Sequence, residues 1–243
     1  MSPSTPVQRF FDPVSFPWLA PIASHLDAIR SEAQAVIERY RTLRWLHPTL
    51  RTLAGRGVVG QRATFYLEIY GMALRTNQAL CPRTTEALAH VPGRATTAIY
   101  LLDAKSRILP HKGATNLLLR AHMGLVCPPG CHLRIESETR SWAEGEFLVF
   151  DDTLEHEAWN DTDSLRAILL VDFFREPLEE GHRDEALTTL RAERLGPLDA
   201  PWLLAAGIEA DAPTLAQMRT AVPETRAYET VHGLVAQYGL FLS

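Results

Sequence analysis

Between residues 96 and 173 the chain offers five short runs rich in β-forming residues, at 96–102, 117–126, 132–137, 146–150 and 165–173. Turn chemistry separates them: Pro128-Pro129-Gly130, Ala143-Glu144-Gly145 and the polar stretch 160–164. Many short strands with such regular punctuation point to an all-β sandwich or barrel. A further strand is expected at 62–71, after a glycine-rich loop at 55–60. Helical spacing appears on both sides. Leu26, Ile29, Ala33, Ala35 and Ile37 mark a helix within 17–43, a short helix is expected at 84–89, and later candidates are 183–194, 214–221 and 225–238. The expected organisation is mainly β with flanking α: a helical segment over 1–60 packed on the core, a β-core over 61–177, and a helical extension over 178–243.

With 243 residues, 46% apolar and 22% charged, there is material for one substantial core and a small annex. A net charge of −5 without a clustered basic patch argues against nucleic acid as a partner. No apolar run reaches the length of a membrane span. The first residues lack the basic head and apolar stretch of a secretory signal, so a cytoplasmic location is the default expectation. Nothing in the sequence sets the oligomeric state.

The three cysteines, Cys81, Cys127 and Cys131, are too few and odd in number for a disulfide framework. Cys127-Pro-Pro-Gly-Cys131-His132 has the look of half a zinc site, but no second pair stands at suitable spacing. The segment reads better as a turn between two strands.

The strand at 117–126 carries the chemistry. Its side chains alternate, so Leu117, Leu119, Ala121, Met123 and Leu125 make one apolar face, while Leu118, Arg120, His122 and Gly124 make the other. A cation and an imidazole are thereby placed inside a barrel wall, where a buried arginine is costly without an anion beside it. In 165–173 the same alternation puts Arg166 on one face with Ile168 and Leu170. A solvated strand end is the plain alternative for Arg166. Two inward arginines on two strands, however, suit a pocket for a dicarboxylate. His111, after Leu109-Pro110, and His156, inside Asp151-Asp152-Thr-Leu-Glu155-His156-Glu157, are the other candidates.

The segment from His111 through Asn116, Arg120, His122 and Gly124 resembles the first metal motif of the aspartyl/asparaginyl β-hydroxylases. Trp142-Ala-Glu-Gly145-Glu, then the run from Phe150 to Asn160, then Arg166-Ala-Ile-Leu-Leu-Val-Asp172, resembles the second in order and spacing. The likeness spans roughly 62–177. It implies a double-stranded β-helix, the cupin-like jelly roll, and an Fe(II)- and 2-oxoglutarate-dependent dioxygenase. By that resemblance His111 and His156 hold the iron and Arg166 grips the distal carboxylate of 2-oxoglutarate. His122, Arg120 and Tyr100 line the same pocket. Oxygenases of this chemistry commonly add a carboxylate ligand two residues after the first histidine. Gly113 stands there, a departure the family shares. Leu118 replaces a substrate-binding arginine of the animal enzymes, Tyr100 a serine, and Glu68 a tryptophan.

The implied reaction consumes dioxygen and 2-oxoglutarate, releases succinate and CO2, and hydroxylates an unactivated C–H bond. The implied target is the β-carbon of an aspartyl, asparaginyl or related amino-acid group, on a small-molecule or peptidyl substrate bearing a carboxylate. Two alternatives stand beside it. One is the same chemistry on another small molecule or an acyl chain, which Leu118 favours. The other is a metal- or ligand-binding β-barrel without turnover.

Overall fold

The computed structural model describes residues 8–46 (backbone alone for 43–46), 57–113 and 115–195, with Leu203, Ile208, Glu209, Ala216, Phe241 and Leu242. The chain opens with strand β1 (Phe10–Phe11) and helices α1 (Leu19–Ala23) and α2 (Leu26–Leu46). Strands β2 (Val58–Val59), β3 (Arg62–Ile69) and β4 (Met72–Ala73) lead to helices α3 (Arg75–Leu80) and α4 (Pro82–Leu88). Then come β5 (Arg94–Leu102), β6 (Ser106–His111), β7 (Leu118–Val126), β8 (Cys131–Ile135) and β9 (Glu138–Ser141). Strands β10 (Phe147–Phe150), β11 (His156–Asn160) and β12 (Arg166–Phe174), helix α5 (Glu180–Arg194) and β13 (Phe241–Leu242) complete the described elements.

Two antiparallel sheets face one another. The larger has the order β1-β10-β7-β12-β5-β3-β13 with β4 beside β3, and the smaller is β2-β6-β11-β8-β9. The chain passes back and forth between the sheets, so β7, β10 and β12 lie in one while β8, β9 and β11 lie in the other. This is the jelly-roll winding of a double-stranded β-helix. The larger sheet takes strands from outside 61–177 at both ends, β1 against β10 and β13 against β3.

Alternation decides which residues face which layer. On β7 and β12, Leu119, Ala121, Met123 and Leu125 join Ala167, Leu169 and Val171 on the outer face of the large sheet. Helix α2 covers that face with Ile29, Ala33, Val36, Ile37 and Tyr40, which recur at helical spacing and are almost fully buried. The inner face meets the small sheet, where Leu102, Ile168 and Leu170 pack against Ile108, Leu133, Ile135 and Ala158. Helix α5 closes one end of the barrel, its Leu187 and Leu190 clustering with Ala95, Leu118 and Phe174.

Besides the two-residue strands β1, β2, β4 and β13, three longer ones stand where the sequence pattern showed none: β6, β9 and β11. Strand β9, Glu-Thr-Arg-Ser, is a polar edge strand with little to bury. Strand β6 contains Pro110, which fits because the β6–β11 ladder shifts register between His156 and Ala158 at that place. Strand β11 alternates cleanly, His156, Ala158 and Asn160 inward, but its inward row is polar at both ends. The helices expected at 214–221 and 225–238 lie outside the described residues. Among the described residues no helix is long and apolar enough to cross a membrane.

Candidate metal centre and anion pocket

His111 ends β6 and His156 begins β11, and the two are paired directly in the ladder. Their ring centroids lie 4.1 Å apart. Each imidazole is fixed by a bond from its own strand: His111 Nδ1 donates to the Leu109 carbonyl at 2.8 Å, and His156 Nδ1 to the Leu154 carbonyl at 2.9 Å. A carbonyl can only accept, so Nδ1 carries the proton and each neutral ring keeps its lone pair on Nε2. Burial lowers the His111 pKa and pushes His156 down to about 3, with the neighbouring His111 adding to the effect. Both rings therefore stay neutral, as metal ligands must.

The loops around them are ordered by acids. Asp151 accepts from the Thr153 amide at 3.0 Å and its hydroxyl at 2.6 Å, and Arg175 Nη2 donates to Asp151 at 2.6 Å. The Gly113 amide donates to the Asp152 carbonyl at 2.6 Å, tying the two histidine-bearing loops together. A Cβ on Gly113 would meet the Asp152 carboxyl atoms at 2.4–2.5 Å. The Asp152 side chain thus occupies the space that a residue with a side chain at 113 would need. Among the described residues, no group of three or more His, Cys, Asp or Glu side chains is placed to hold a metal ion.

Deeper in the barrel the same cavity is lined by Tyr100, Arg120, His122, Phe150 and Arg166. Arg166 is 1% exposed, yet its Nε and Nη2 have no hydrogen-bond partner. Both ring nitrogens of His122 are likewise buried and unpartnered. Burial lowers the pKa of each, for His122 well below its ordinary value with Arg120 adding to the effect. Orphaned buried donors beside a cation demand an anion, so the residues present fit a dicarboxylate as they fit a metal. Asn160 orders the turn that precedes Arg166 in the chain. Its Nδ2 donates to the carbonyls of Leu102, Asp103 and Ser164, and its Oδ1 accepts from Thr162. Those bonds set the turn that leads into β12.

Arg120 differs from the expectation that its charge awaits a ligand's carboxylate. Its Nε and Nη2 donate to the two carboxyl oxygens of Asp172, and its Nη1 lies 3.3 Å from Asp152. The anion it needs is already in the protein. Tyr100 lines the cavity with its hydroxyl accepting from Arg62 Nη1 at 2.5 Å. Leu118 lies beyond Arg120 on the inward row, under α5, and Glu68 is paired with Arg94.

Residues 23–176 match the family described as Aspartyl/Asparaginyl beta-hydroxylase. The chain belongs to that family. An ornithine lipid ester-linked acyl 2-hydroxylase from Rhizobium tropici is 34% identical over 176 residues, 71% of this chain and 62% of the relative. The aspartyl/asparaginyl beta-hydroxylase of Mus musculus is 47% identical over 84 residues, 34% of this chain and 11% of the relative. The human aspartate beta-hydroxylase domain-containing protein 2 is 34% identical over 135 residues, 51% of this chain and 36% of that one. The chain spans less than two thirds of the length of each of these beta-hydroxylase-family relatives.

Sequence reasoning gave Asp172 no role, although its signal was present. Arg166, Ile168 and Leu170 share the inward face, and two residues further the alternation reaches Asp172, opposite Arg120 in the ladder. The turn expected at Pro128–Gly130 joins β7 to β8, with Gly130 at φ 111°. Cys127 and Cys131 are free thiols.

Proposed function

We propose that the protein is an Fe(II)- and 2-oxoglutarate-dependent hydroxylase acting on an unactivated C–H bond. The observation that carries this reading is the pairing of His111 with His156 on a cavity that the orphaned Arg166 also lines. His111 and His156 would hold the iron through Nε2, kept neutral by burial and aimed by their Nδ1 bonds. Arg166 would pair with the distal carboxylate of 2-oxoglutarate, with His122 and Tyr100 beside it. Bound there, iron, 2-oxoglutarate and dioxygen would supply the oxidising power for hydroxylation, with succinate and CO2 released. The protein's part is orientation and the exclusion of water from a buried pocket.

Family membership favours the β-carbon of an aspartyl, asparaginyl or related amino-acid group as the target. A second reading, an acyl chain or another small molecule, draws on a specific observation: Asp172 engages Arg120, and Leu118 offers no charge, so a substrate carboxylate finds no free cation there. The Rhizobium relative, matched over the larger share of this chain, is named for acyl hydroxylation.

Anaerobic titration with Fe(II) and then 2-oxoglutarate tests the proposal. A weak visible charge-transfer band should appear, vanish in His111→Ala and His156→Ala, and need more 2-oxoglutarate in Arg166→Ala. Iron binding without the band would support the non-catalytic barrel instead. Succinate release with aspartyl peptides against acyl lipids would then separate the two substrate readings.

A further inference from the structure

Five buried side-chain nitrogens without a partner belong to three neighbouring side chains: Arg166 Nε and Nη2, both ring nitrogens of His122, and Trp142 Nε1. Trp142 is the one that joins the set. The Arg166 guanidinium carbon lies 4.6 Å from the centre of its ring, and His122 stacks on it with centroids 6.0 Å apart and planes 29° from parallel. The indole is 6% exposed and packs in the inner cluster with Phe150, Ile168 and Leu170.

The loop that carries Trp142 is anchored with care. It crosses the inward face of β7 at Gly124, where a Cβ would meet the Ala143 carbonyl oxygen at 2.3 Å. The Gly145 amide donates to the Gly124 carbonyl at 2.9 Å, and the Gly124 amide to the Glu146 carbonyl at 3.2 Å. Glu144 in the same loop pairs with Arg30 of α2 and accepts from the Cys127 amide. Three elements thus hold the indole where it lies.

We propose that Trp142 is a positioning residue for the anion-binding arginine. Its face fixes the plane of the Arg166 guanidinium and so sets how tightly the distal carboxylate of 2-oxoglutarate is held. A guanidinium binds a carboxylate through its edge and an aromatic ring through its face, so the two contacts do not compete. Nε and Nη2 have no hydrogen-bond partner in the protein, and the Tyr100 ring stands farther from the guanidinium carbon, 5.8 Å to its centre, than the Trp142 ring does. The stack keeps the fork in one orientation before the ligand arrives, which reduces the ordering cost of binding. The inference rests on the co-substrate reading above.

The test uses Fe(II)-loaded protein under anaerobic conditions and calorimetric titration with two keto acids. One is 2-oxoglutarate; the other is 2-oxopentanoate, equal in chain length but without the distal carboxylate. Trp142→Leu should bind 2-oxoglutarate about ten-fold more weakly and 2-oxopentanoate unchanged, so the preference between them falls about ten-fold. Trp142→Phe, which keeps a smaller aromatic face, should lose only about three-fold. A folded Trp142→Leu that keeps the wild-type preference, or weakens both ligands equally, overturns the proposal and leaves Trp142 as packing. If Trp142→Leu does not fold, an unchanged preference in Trp142→Phe overturns it in the same way. A wild-type protein with no preference for 2-oxoglutarate instead overturns the co-substrate reading itself.

Discussion

Arg120 and Asp172 meet across β7 and β12 as a bidentate pair, Nε to Oδ1 at 2.7 Å and Nη2 to Oδ2 at 2.9 Å. Asp172 is buried, and the pair stands at directly opposed ladder positions. Breaking such a pair leaves an uncompensated charge inside the barrel. Asp172→Ala should therefore destabilise the protein by about 3 kcal/mol. The check is chemical denaturation of the metal-free protein. A loss below about 1 kcal/mol would mean that Asp152, 3.3 Å from Arg120, suffices alone.

Gly113 and Asp152 make a second testable relation. Gly113→Ala places a methyl group within 2.4–2.5 Å of the Asp152 carboxyl atoms, so the Asp152 carboxyl, held beside Arg120, or one of the two histidine-bearing loops has to shift. Fe(II) affinity should fall about ten-fold or more, since small displacements of ligands are costly in a two-histidine site. Shortening the acid should make room, so Gly113→Ala with Asp152→Ala should bind iron better than Gly113→Ala alone. Equal affinity in both variants would show that the crowding relaxes without moving the histidines. Restoring an acid at 113 should not create a working third ligand, because Asp152 already fills that space.

The β-core was legible where burial wrote a strong pattern. On β7 and β12 one face is continuously apolar, and the alternation placed Arg120 and His122 inside the barrel. It put Arg166 on the face of Ile168 and Leu170 but left a solvated strand end open for it, which its burial in the structure closes. The strands bearing His111 and His156 were not legible as strands. Strand β6 has a proline beside its bulge, and β11 begins with the histidine whose chemistry displaces an apolar side chain from the inward row. Functional side chains erase the hydrophobic period that reveals a strand, so those two histidines were found by motif. Pairing was hidden for a different reason. The alternation says that Arg120 and Asp172 both point inward, but only the β7–β12 register says that they meet. The fixed tautomers of His111 and His156 were similarly out of reach, because a bond to a carbonyl two residues back depends on backbone geometry.

Arg166 lies at the other extreme from Arg120. Its charge is buried with Nε and Nη2 unpartnered, a cost that a packing residue would not carry. Arg166→Leu should accordingly raise the stability of the ligand-free protein, by about 1–4 kcal/mol, while removing the response to 2-oxoglutarate. Thermal unfolding with and without 2-oxoglutarate reads both effects. Opposite changes in stability and binding mark a residue kept for function. A variant that loses stability as well would assign Arg166 a structural role, carried by its stack on Trp142.

The histidines give the metal-free protein a pH dependence of definite sign. His156 is held neutral, with its pKa pushed down to about 3, and His111 and His122 are also lowered. In the unfolded chain each titrates near pH 6.5. Above that value both states bind the same number of protons and these groups contribute no slope. As pH falls through 6.5 the unfolded state takes up protons that the folded state refuses, so stability declines, for His156 until pH reaches about 3. Between pH 7 and pH 5, His156 alone should cost about 2 kcal/mol, roughly 1.5 pH units at 1.36 kcal/mol each. Denaturation of the metal-stripped protein at the two values measures the total. His156→Gln isolates its share, because carboxylates that titrate in the same range contribute equally to both proteins. A slope in His156→Gln as steep as in the wild type would mean that this imidazole is protonated in the folded state at pH 5, and so is less shielded than its burial implies.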